Sequence, residues 1–179
     1  MSRSNPSPIR LLIADDDQLI SHMISGVLPE PEFEIVGVAV NGVEAVEMTR
    51  KHRPDVVIMD IQMPRMSGLE AAREIARLCP TPIVALTSHD ERSIVNEATA
   101  SGVGAFLVKP PAPREIERAI TVAIARFEDL RRVSALSDEL KDTVRRLEQE
   151  IEERANAEKE RLRMVSRVQQ ARKLESLGV

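Results

Sequence analysis

The stretch DVVIMD at residues 55–60, followed directly by IQMPRMSG at residues 61–68, decides the fold of this chain. The first stretch is apolar and rich in β-branched residues, and it has the length of a strand that is covered on both faces. Pro64 and Gly68 then end the strand within a few residues. Asp60 therefore stands where a buried strand breaks into a tight turn.

Three other apolar runs also end in polar residues. The runs and the residues that follow them are 11–14 before Asp15, Asp16 and Asp17, 83–86 before Thr87, and 105–108 before Lys109. In an open parallel sheet the carboxyl ends of the strands lie along one edge. We therefore expect acids, a hydroxyl and an amine from four distant segments to meet at that edge.

Segments with helical spacing alternate with the apolar runs. These segments are residues 19–28, 42–51, 68–78, 91–100 and 114–127. Residues 34–39 (EIVGVA) add a further strand. Five repeats of strand then helix are typical of an α/β fold with a doubly wound, five-stranded parallel sheet and right-handed crossovers.

Residues 114–177 contain neither glycine nor proline and predict one long helix. Its apolar residues step by three and four with a phase shift between Val133 and Leu136, as in an interrupted coiled coil. The stripe consists of Ile116, Ile120, Ala123, Phe127, Leu130, Leu140, Val144, Leu147 and Ile151. Because such a stripe needs cover, the simplest partner is a second copy in a parallel homodimer. The alternative is a solvated helix with Glu and Arg pairs, which contribute only about 0.2–0.5 kcal/mol each.

Composition and charge argue against several classes of protein. The chain has 25 basic and 29 acidic side chains, a net charge of -4, and no nucleic-acid reading motif, so we expect no nucleic-acid partner. The lone Cys79, the polar N-terminus and the lack of an apolar stretch of about 20 residues indicate a cytoplasmic protein without direct membrane contact. We expect a disordered N-terminus, a globular domain and a helical coiled-coil extension at residues 1–8, 9–127 and 128–179.

The acids at the predicted sheet edge need a cation among them. Asp15, Asp16 and Asp60 would repel one another, and oxygen ligands without His or Cys favour a hard divalent ion such as Mg²⁺. Lys109 adds a second positive charge. The ion and the ammonium together suit a phosphoryl group, whose equatorial oxygens carry negative charge during transfer. Asp60 could then act as the nucleophile and become an aspartyl phosphate.

Some of these residues also have a purely structural interpretation. The acids at residues 15–17 could cap a helix, and we expect that role for Asp17. Thr87 could also be a cap, and a lysine such as Lys109 is often only a solvated surface residue. Cys79 is expected to be half-buried at a helix end. The histidines lack metal-ligand spacing and are expected to be surface or boundary residues: His22, His52 and His89.

Taken together, these elements closely resemble the receiver domain of bacterial two-component response regulators. The matching elements, in order, are Asp15-Asp16, Asp60 within MDIQMPRMSG, Thr87, Phe106 and Lys109-Pro110. The resemblance covers about residues 9–127 and implies a flavodoxin-like fold. It also implies that Asp60 accepts phosphate from the phosphohistidine of a histidine kinase or phosphotransfer protein.

The resemblance implies a metal role for the acidic residues. Asp16 and Asp60 would bind Mg²⁺ directly, and Asp15 would act largely through a bound water. The backbone carbonyl of Gln62 would complete the protein ligands.

The resemblance also implies how a bound phosphoryl group is contacted and sensed. Thr87 and Lys109 would contact the phosphoryl oxygens, and the peptide bond before Pro110 would be cis. Thr87 and Phe106 would be the switch residues. Because residue 106 is Phe and not Tyr, its switching would use packing instead of a hydroxyl hydrogen bond.

The end of the chain resembles part of a second family. Residues 167–179 (RVQQARKLESLGV) are similar to the approach to the phosphoacceptor helix of sensor histidine kinases, in which a His-Asp or His-Glu motif follows. No His occurs after His89 and no Gly-rich ATP lid is present, so the chain as given is not expected to phosphorylate itself. Two interpretations stay open: a receiver with a stand-alone coiled-coil output, or a fragment of a hybrid receiver and histidine kinase.

Two other functional classes compete with a signalling receiver. A phosphatase with an aspartyl nucleophile usually has a general-acid Asp two residues later, where this chain has Gln62. We therefore expect phosphoryl acceptance and slow self-dephosphorylation but no turnover of external substrates. A purely structural dimerisation module would not need the complete set of acids, hydroxyl and lysine.

Overall fold

The computed structural model describes residues 7–88 and 103–176, with side chains described up to residue 170. Within these ranges the strands are β1 (Ile9–Ala14), β2 (Phe33–Ala39), β3 (Val56–Asp60), β4 (Ile83–Thr87) and β5 (Val103–Val108). The helices are α1 (Gln18–Val27), α2 (Gly42–His52), α3 (Gly68–Leu78) and α4 (Pro113–Ser176). The helix predicted at residues 91–100 lies outside the described residues.

The strands form one parallel sheet in the order β2-β1-β3-β4-β5. The strand order reverses next to β1, as it does in doubly wound sheets. The predicted α/β fold with a five-stranded parallel sheet is therefore confirmed. Because β1, β3, β4 and β5 are neighbours, the residues that follow these strands leave the sheet side by side.

Two apolar clusters cover the two faces of the sheet. Successive residues of β3 alternate between them, so Val57 belongs to one cluster and Ile58 to the other. On the first face, Ala45 of α2 and Ile75 of α3 are fully buried. On the second face, α1 and the first turns of α4 complete the core. All five residues of β3 are buried, which explains why its sequence is a continuous apolar run.

Local side-chain contacts fix the ends of the short helices. Asp17 caps α1 by accepting a hydrogen bond from Leu19 N at 2.8 Å, which confirms its predicted role. Ser67 and Glu70 form a reciprocal capping box at the start of α3, which begins just after the loop that follows Asp60. Cys79 ends α3 and is half-buried, as predicted.

The predicted long helix is confirmed, and it begins at Pro113, where the fixed φ of proline suits a first helical residue. One compact unit of the chain ends at Leu130, and a second begins at Arg131. Among the described residues, no helix combines the length and apolarity that crossing a bilayer requires.

The structure corrects one part of the predicted coiled-coil stripe. Ile116, Ile120 and Ala123 are fully buried in the core of their own unit, so their assignment to a stripe between two chains was wrong. The first turns of α4 use these residues to cover the sheet. Later members of the stripe expose 45–67% of their surface: Leu130, Leu140, Val144, Leu147 and Ile151.

Candidate functional site

The site is built at the carboxyl ends of four adjacent strands, and backbone hydrogen bonds tie these ends together. Lys109 N donates to Thr87 O at 2.9 Å, which joins the end of β5 to the end of β4. Ile61 N donates to Leu86 O at 3.2 Å, which joins β3 to β4. The side chains at this edge are therefore held by the sheet and not by flexible loops alone.

Lys109 lies between two carboxylates from different strands. Its Nζ is 2.7 Å from Asp15 Oδ2 and 2.8 Å from Asp60 Oδ2. Asp15 is fully buried and Asp60 is 7% exposed. The other oxygens are also used, because Asp15 Oδ1 accepts from Asp17 N at 2.9 Å and Asp60 Oδ1 from Gln62 N at 3.3 Å. The structure thus brings together residues that are nearly a hundred positions apart.

Burial and charge shift the pKa values of this cluster. Burial raises the pKa of Asp60 above its usual value, because it disfavours the charged carboxylate more than Lys109 and the Gln62 N–H favour it. Burial alone would lower the pKa of Lys109, but the hydrogen bonds and charges of Asp15 and Asp60 outweigh it and raise that pKa. The two carboxylates thus favour the charged ammonium form of Lys109 beside Asp60.

The acidic residues have the composition and spacing of a divalent-cation site. One carboxylate oxygen from each of Asp15, Asp16 and Asp60 lies within 4.8 Å of the others. Asp15 and Asp60 are buried, whereas Asp16 is exposed, so the cluster opens to solvent on one side. An all-oxygen set of this kind fits Mg²⁺, which keeps several waters and binds through a few carboxylates.

The loop after Asp60 has little freedom. Gly68 N donates to Ile61 O at 2.8 Å, and a Cβ on Gly68 would overlap the carbonyl oxygen of Asp60. Arg65 has a positive φ of 69° within this loop, in the left-handed region that non-glycine residues rarely adopt. Gln62 is exposed, and the metal-binding role of its carbonyl stays a prediction.

Thr87 is the last residue of β4, and Phe106 lies on β5 two residues before its end. Thr87 is buried and pairs with Val108 across the two strands. Phe106 is half-buried and packs against the apolar cluster that α2 and α3 cover. The Lys109–Pro110 peptide bond is cis. The switch roles of Thr87 and Phe106 stay predictions.

Several other predicted residues lie outside the cluster. Asp17 caps α1 and is not a member of the acidic triplet. His22 is exposed and contacts its own helix at Gln18 O, and His52 is half-buried at the end of α2. His89 lies outside the described residues.

One neighbour of the site was not predicted from the sequence: the turn between β2 and α2. Its Asn41-Gly42 dipeptide is a strong turn signal and was visible in the sequence. The dipeptide does not reveal which loop the turn would touch.

Comparison with known proteins adds independent findings. A family model described as "Response regulator receiver domain" matches residues 11–121. The transcriptional regulatory protein PdtaR of Mycobacterium tuberculosis is 44% identical over 141 residues, which are 79% of this chain and 67% of that protein. The chemotaxis protein CheY of Thermotoga maritima is 36% identical over 112 residues, 62% of this chain and 93% of that protein. The crystal structure of the response regulator domain of Thermotoga maritima CheB has a TM-score of 0.62 and 31% identity. It covers 66% of this chain and 97% of that one.

Proposed function

Because the chain belongs to the response regulator receiver family, we propose that it is a two-component signalling switch that is phosphorylated on Asp60. A receiver domain implies a histidine kinase or a phosphotransfer protein as its partner. One observation carries the proposal for this chain. Lys109 Nζ lies 2.8 Å from the buried carboxylate of Asp60 at the end of the central strand, with two further acids beside it.

In the proposed reaction, Asp60 is the nucleophile. A carboxylate oxygen of Asp60 attacks the phosphorus of a phosphohistidine, and the bond between phosphorus and the imidazole nitrogen breaks. The electron pair of that bond stays on the nitrogen of the donor histidine. Lys109, which is already 2.8 Å from Asp60 Oδ2, faces the negative charge that the phosphoryl oxygens bring. The buried hydroxyl residue Thr87 is proposed as a further contact to these oxygens.

Asp15, Asp16 and Asp60, with the carbonyl of Gln62, are proposed to hold Mg²⁺. When bound, the ion supplies positive charge that offsets the phosphoryl oxygens during transfer. The fit rests on oxygen donors alone and on the three carboxylates, of which one oxygen each lies within 4.8 Å of the others. Lys109 offsets part of the acidic charge, so the cluster can form before the ion binds.

Intact mass measurement after incubation with Mg²⁺ and phosphoramidate, a small donor with a phosphorus–nitrogen bond, tests this proposal. We expect one phosphoryl adduct on the full chain, no adduct on Asp60→Asn, and no adduct when EDTA is added. The matched control is Asp55→Asn, because exposed Asp55 contacts Arg10 N at 2.8 Å and is not part of the acidic triplet. An adduct that persists in Asp60→Asn would contradict the assignment.

We further propose that residues 128–179 are the output and form a parallel coiled coil with a second copy. The support is the exposed apolar stripe, in which the side chains of Leu140, Val144, Leu147 and Ile151 are 45–67% exposed at three- and four-residue spacing. Because about half of each residue is already covered, burying the rest in a dimer would contribute about 1 kcal/mol per residue, roughly half the value for a fully exposed side chain. Phosphorylation would then change the helix pairing by shifting a two-state equilibrium.

Cysteine crosslinking tests the proposed output. In a Cys79→Ser background, Leu147→Cys should crosslink between copies much faster than Gln149→Cys, which lies two residues away on another face of the helix. Beryllium fluoride with Mg²⁺, as a phosphate mimic, should change the Leu147→Cys rate. Equal rates at the two positions would argue against the coiled coil, and a rate insensitive to the mimic would argue against signalling through it.

A further inference from the structure

The turn between β2 and α2, residues 39–42, contributes no acid to the site but bonds to both loops that do. Ala39 O accepts a hydrogen bond from Asp15 N at 3.0 Å. Gly42 N donates to Met66 O at 3.2 Å, and Met66 lies in the loop that begins at Asp60. The turn therefore bridges the acids of β1 and the acceptor of β3.

The contact between Gly42 and Met66 leaves no room for a side chain. A Cβ on Gly42 would lie 2.5 Å from Met66 O and 2.9 Å from Met66 Cβ and Cγ. The nearest atom belongs to the backbone, so a rotamer change of Met66 does not relieve the overlap. Any larger residue at position 42 must push the loop and the turn apart.

The turn is held as firmly as the loop after Asp60, so the overlap cannot be absorbed within the turn alone. Asn41 is buried, accepts from Glu44 N at 3.0 Å and donates to Glu44 Oε1 at 2.8 Å. Glu44 Oε2 also accepts from Val40 N at 3.2 Å. These bonds close the first turn of α2 as a rigid unit. The loop that Gly42 contacts carries Gln62, whose N–H bonds to Asp60.

We propose that Gly42 is a positioning residue for the cation site. It sets the separation between the acids that follow β1 and the loop that follows Asp60, although it binds neither ion nor phosphate. This inference rests on the proposed function, because it concerns the Mg²⁺ affinity of the same acidic triplet. It predicts that the edge strand β2, which supplies no ligand, controls that affinity through its last turn.

A Mg²⁺ titration of the ¹⁵N-labelled full chain, followed by NMR, tests the proposal without any phosphoryl transfer. We expect Gly42→Ala to bind Mg²⁺ about tenfold more weakly than the wild type, the size usual for changes behind metal ligands. The matched control is Gly37→Ala on β2. A Cβ there would meet only side-chain atoms, Met48 Cε at 2.6 Å and Leu12 Cδ1 at 3.2 Å. Urea denaturation in EDTA reports how far each variant is destabilised.

The outcomes separate positioning from simple destabilisation. Weaker binding in Gly42→Ala but not in Gly37→Ala supports the proposal, whereas an unchanged affinity in folded Gly42→Ala, or an equal loss in both, overturns it. If Gly42→Ala does not fold, the Mg²⁺ titration of the wild type tests the proposal instead. Its Gly42 amide resonance should then shift with added Mg²⁺ while that of Gly26 does not, and an unchanged Gly42 resonance overturns the proposal. A wild type that binds no Mg²⁺ would contradict the proposed function itself and this inference with it.

Discussion

Helix α4 contains two regions with the same apolar spacing and opposite environments. Ile116 and Ile120 are fully buried in the core of the receiver, whereas Leu140 and Ile151 expose 64% and 67% of their surface. The spacing alone indicates that an apolar face of the helix must be buried, but it does not show which surface buries it. In the first region the sheet of the same chain covers the stripe, and in the second we propose a second copy.

The two regions should therefore respond differently to mutation. A core residue stabilises the receiver within one chain, so its loss should not depend on protein concentration. A residue of the exposed stripe stabilises only an assembly, so its loss should change the monomer–dimer equilibrium.

The largest effect is expected in the buried region. Ile120→Ala should lower the free energy of unfolding of the receiver by about 3 kcal/mol, because it removes buried methyl groups and leaves a cavity. Urea denaturation at two protein concentrations measures this. Val122→Ala, on the same helix at a position 47% exposed, should change the free energy by less than about 0.5 kcal/mol. Similar losses in both variants would contradict the described packing of α4.

The second effect should appear only in the exposed region. Leu147→Ala should raise the dimer dissociation constant about 30-fold, since each of the two copies loses about 1 kcal/mol of Leu burial and the sum of about 2 kcal/mol corresponds to that factor. The unfolding of the receiver should stay unchanged. Sedimentation equilibrium measures the dissociation constant, with Gln149→Ala as the control. If the wild type stays monomeric at every accessible concentration, the proposal that a second copy buries this stripe is wrong.

A smaller difference in stability is expected between a serine at the start of a helix and a serine in the middle of one. Ser67→Ala should destabilise the receiver by about 1 kcal/mol, because the N–H of Glu70 loses its cap at the start of α3. Ser134→Ala is the same chemical change at an exposed position within α4, and it should be neutral or slightly stabilising. Thermal denaturation of both variants gives the comparison, and equal midpoints would argue against the capping box.

The smallest effect concerns the ion pairs of the exposed region. Arg154 and Glu150 are 2.6 Å apart on one helix face, with side chains 79% and 51% exposed. Glu150→Ala should cost only about 0.3 kcal/mol, and added salt should reduce this difference further. Circular dichroism of the helix during denaturation measures it. A cost above about 1 kcal/mol would favour a helix stabilised by its charges over one stabilised by a partner.

The sequence predicted the fold and the cluster of site residues for a physical reason. Parallel strands buried on both faces give continuous apolar runs, and the ends of such strands meet at one edge. These two rules are sufficient to place Asp15, Asp60 and Lys109 close together from the amino-acid sequence. The roles of Thr87, Phe106 and the Gln62 carbonyl remain predictions, since geometry alone does not test them.

Two features could not be predicted from the sequence, because they depend on contacts between distant segments. The stripe that begins at Ile116 has the spacing of a coiled coil, and only tertiary packing shows that its first residues cover the sheet. The dipeptide Asn41-Gly42 indicated a turn, but its bond to Met66 joins two loops that no local pattern connects. Local sequence patterns therefore identified the helix and the turn but not the residues that each of them contacts.

The position of β3 in the sheet has a consequence for the lifetime of the site. β3 is the middle strand, with β1 and β4 bonded to its two sides, while β2 and β5 are the outer strands. Transient opening of a sheet starts where the fewest bonds must break, at the outermost strands. We therefore expect the amides of β3 to exchange with solvent more slowly than those of β2. We therefore expect Asp60 to lie in the strand that opens least often. The outer strands can then unfold locally while the contacts around the Asp60 carboxyl group stay intact.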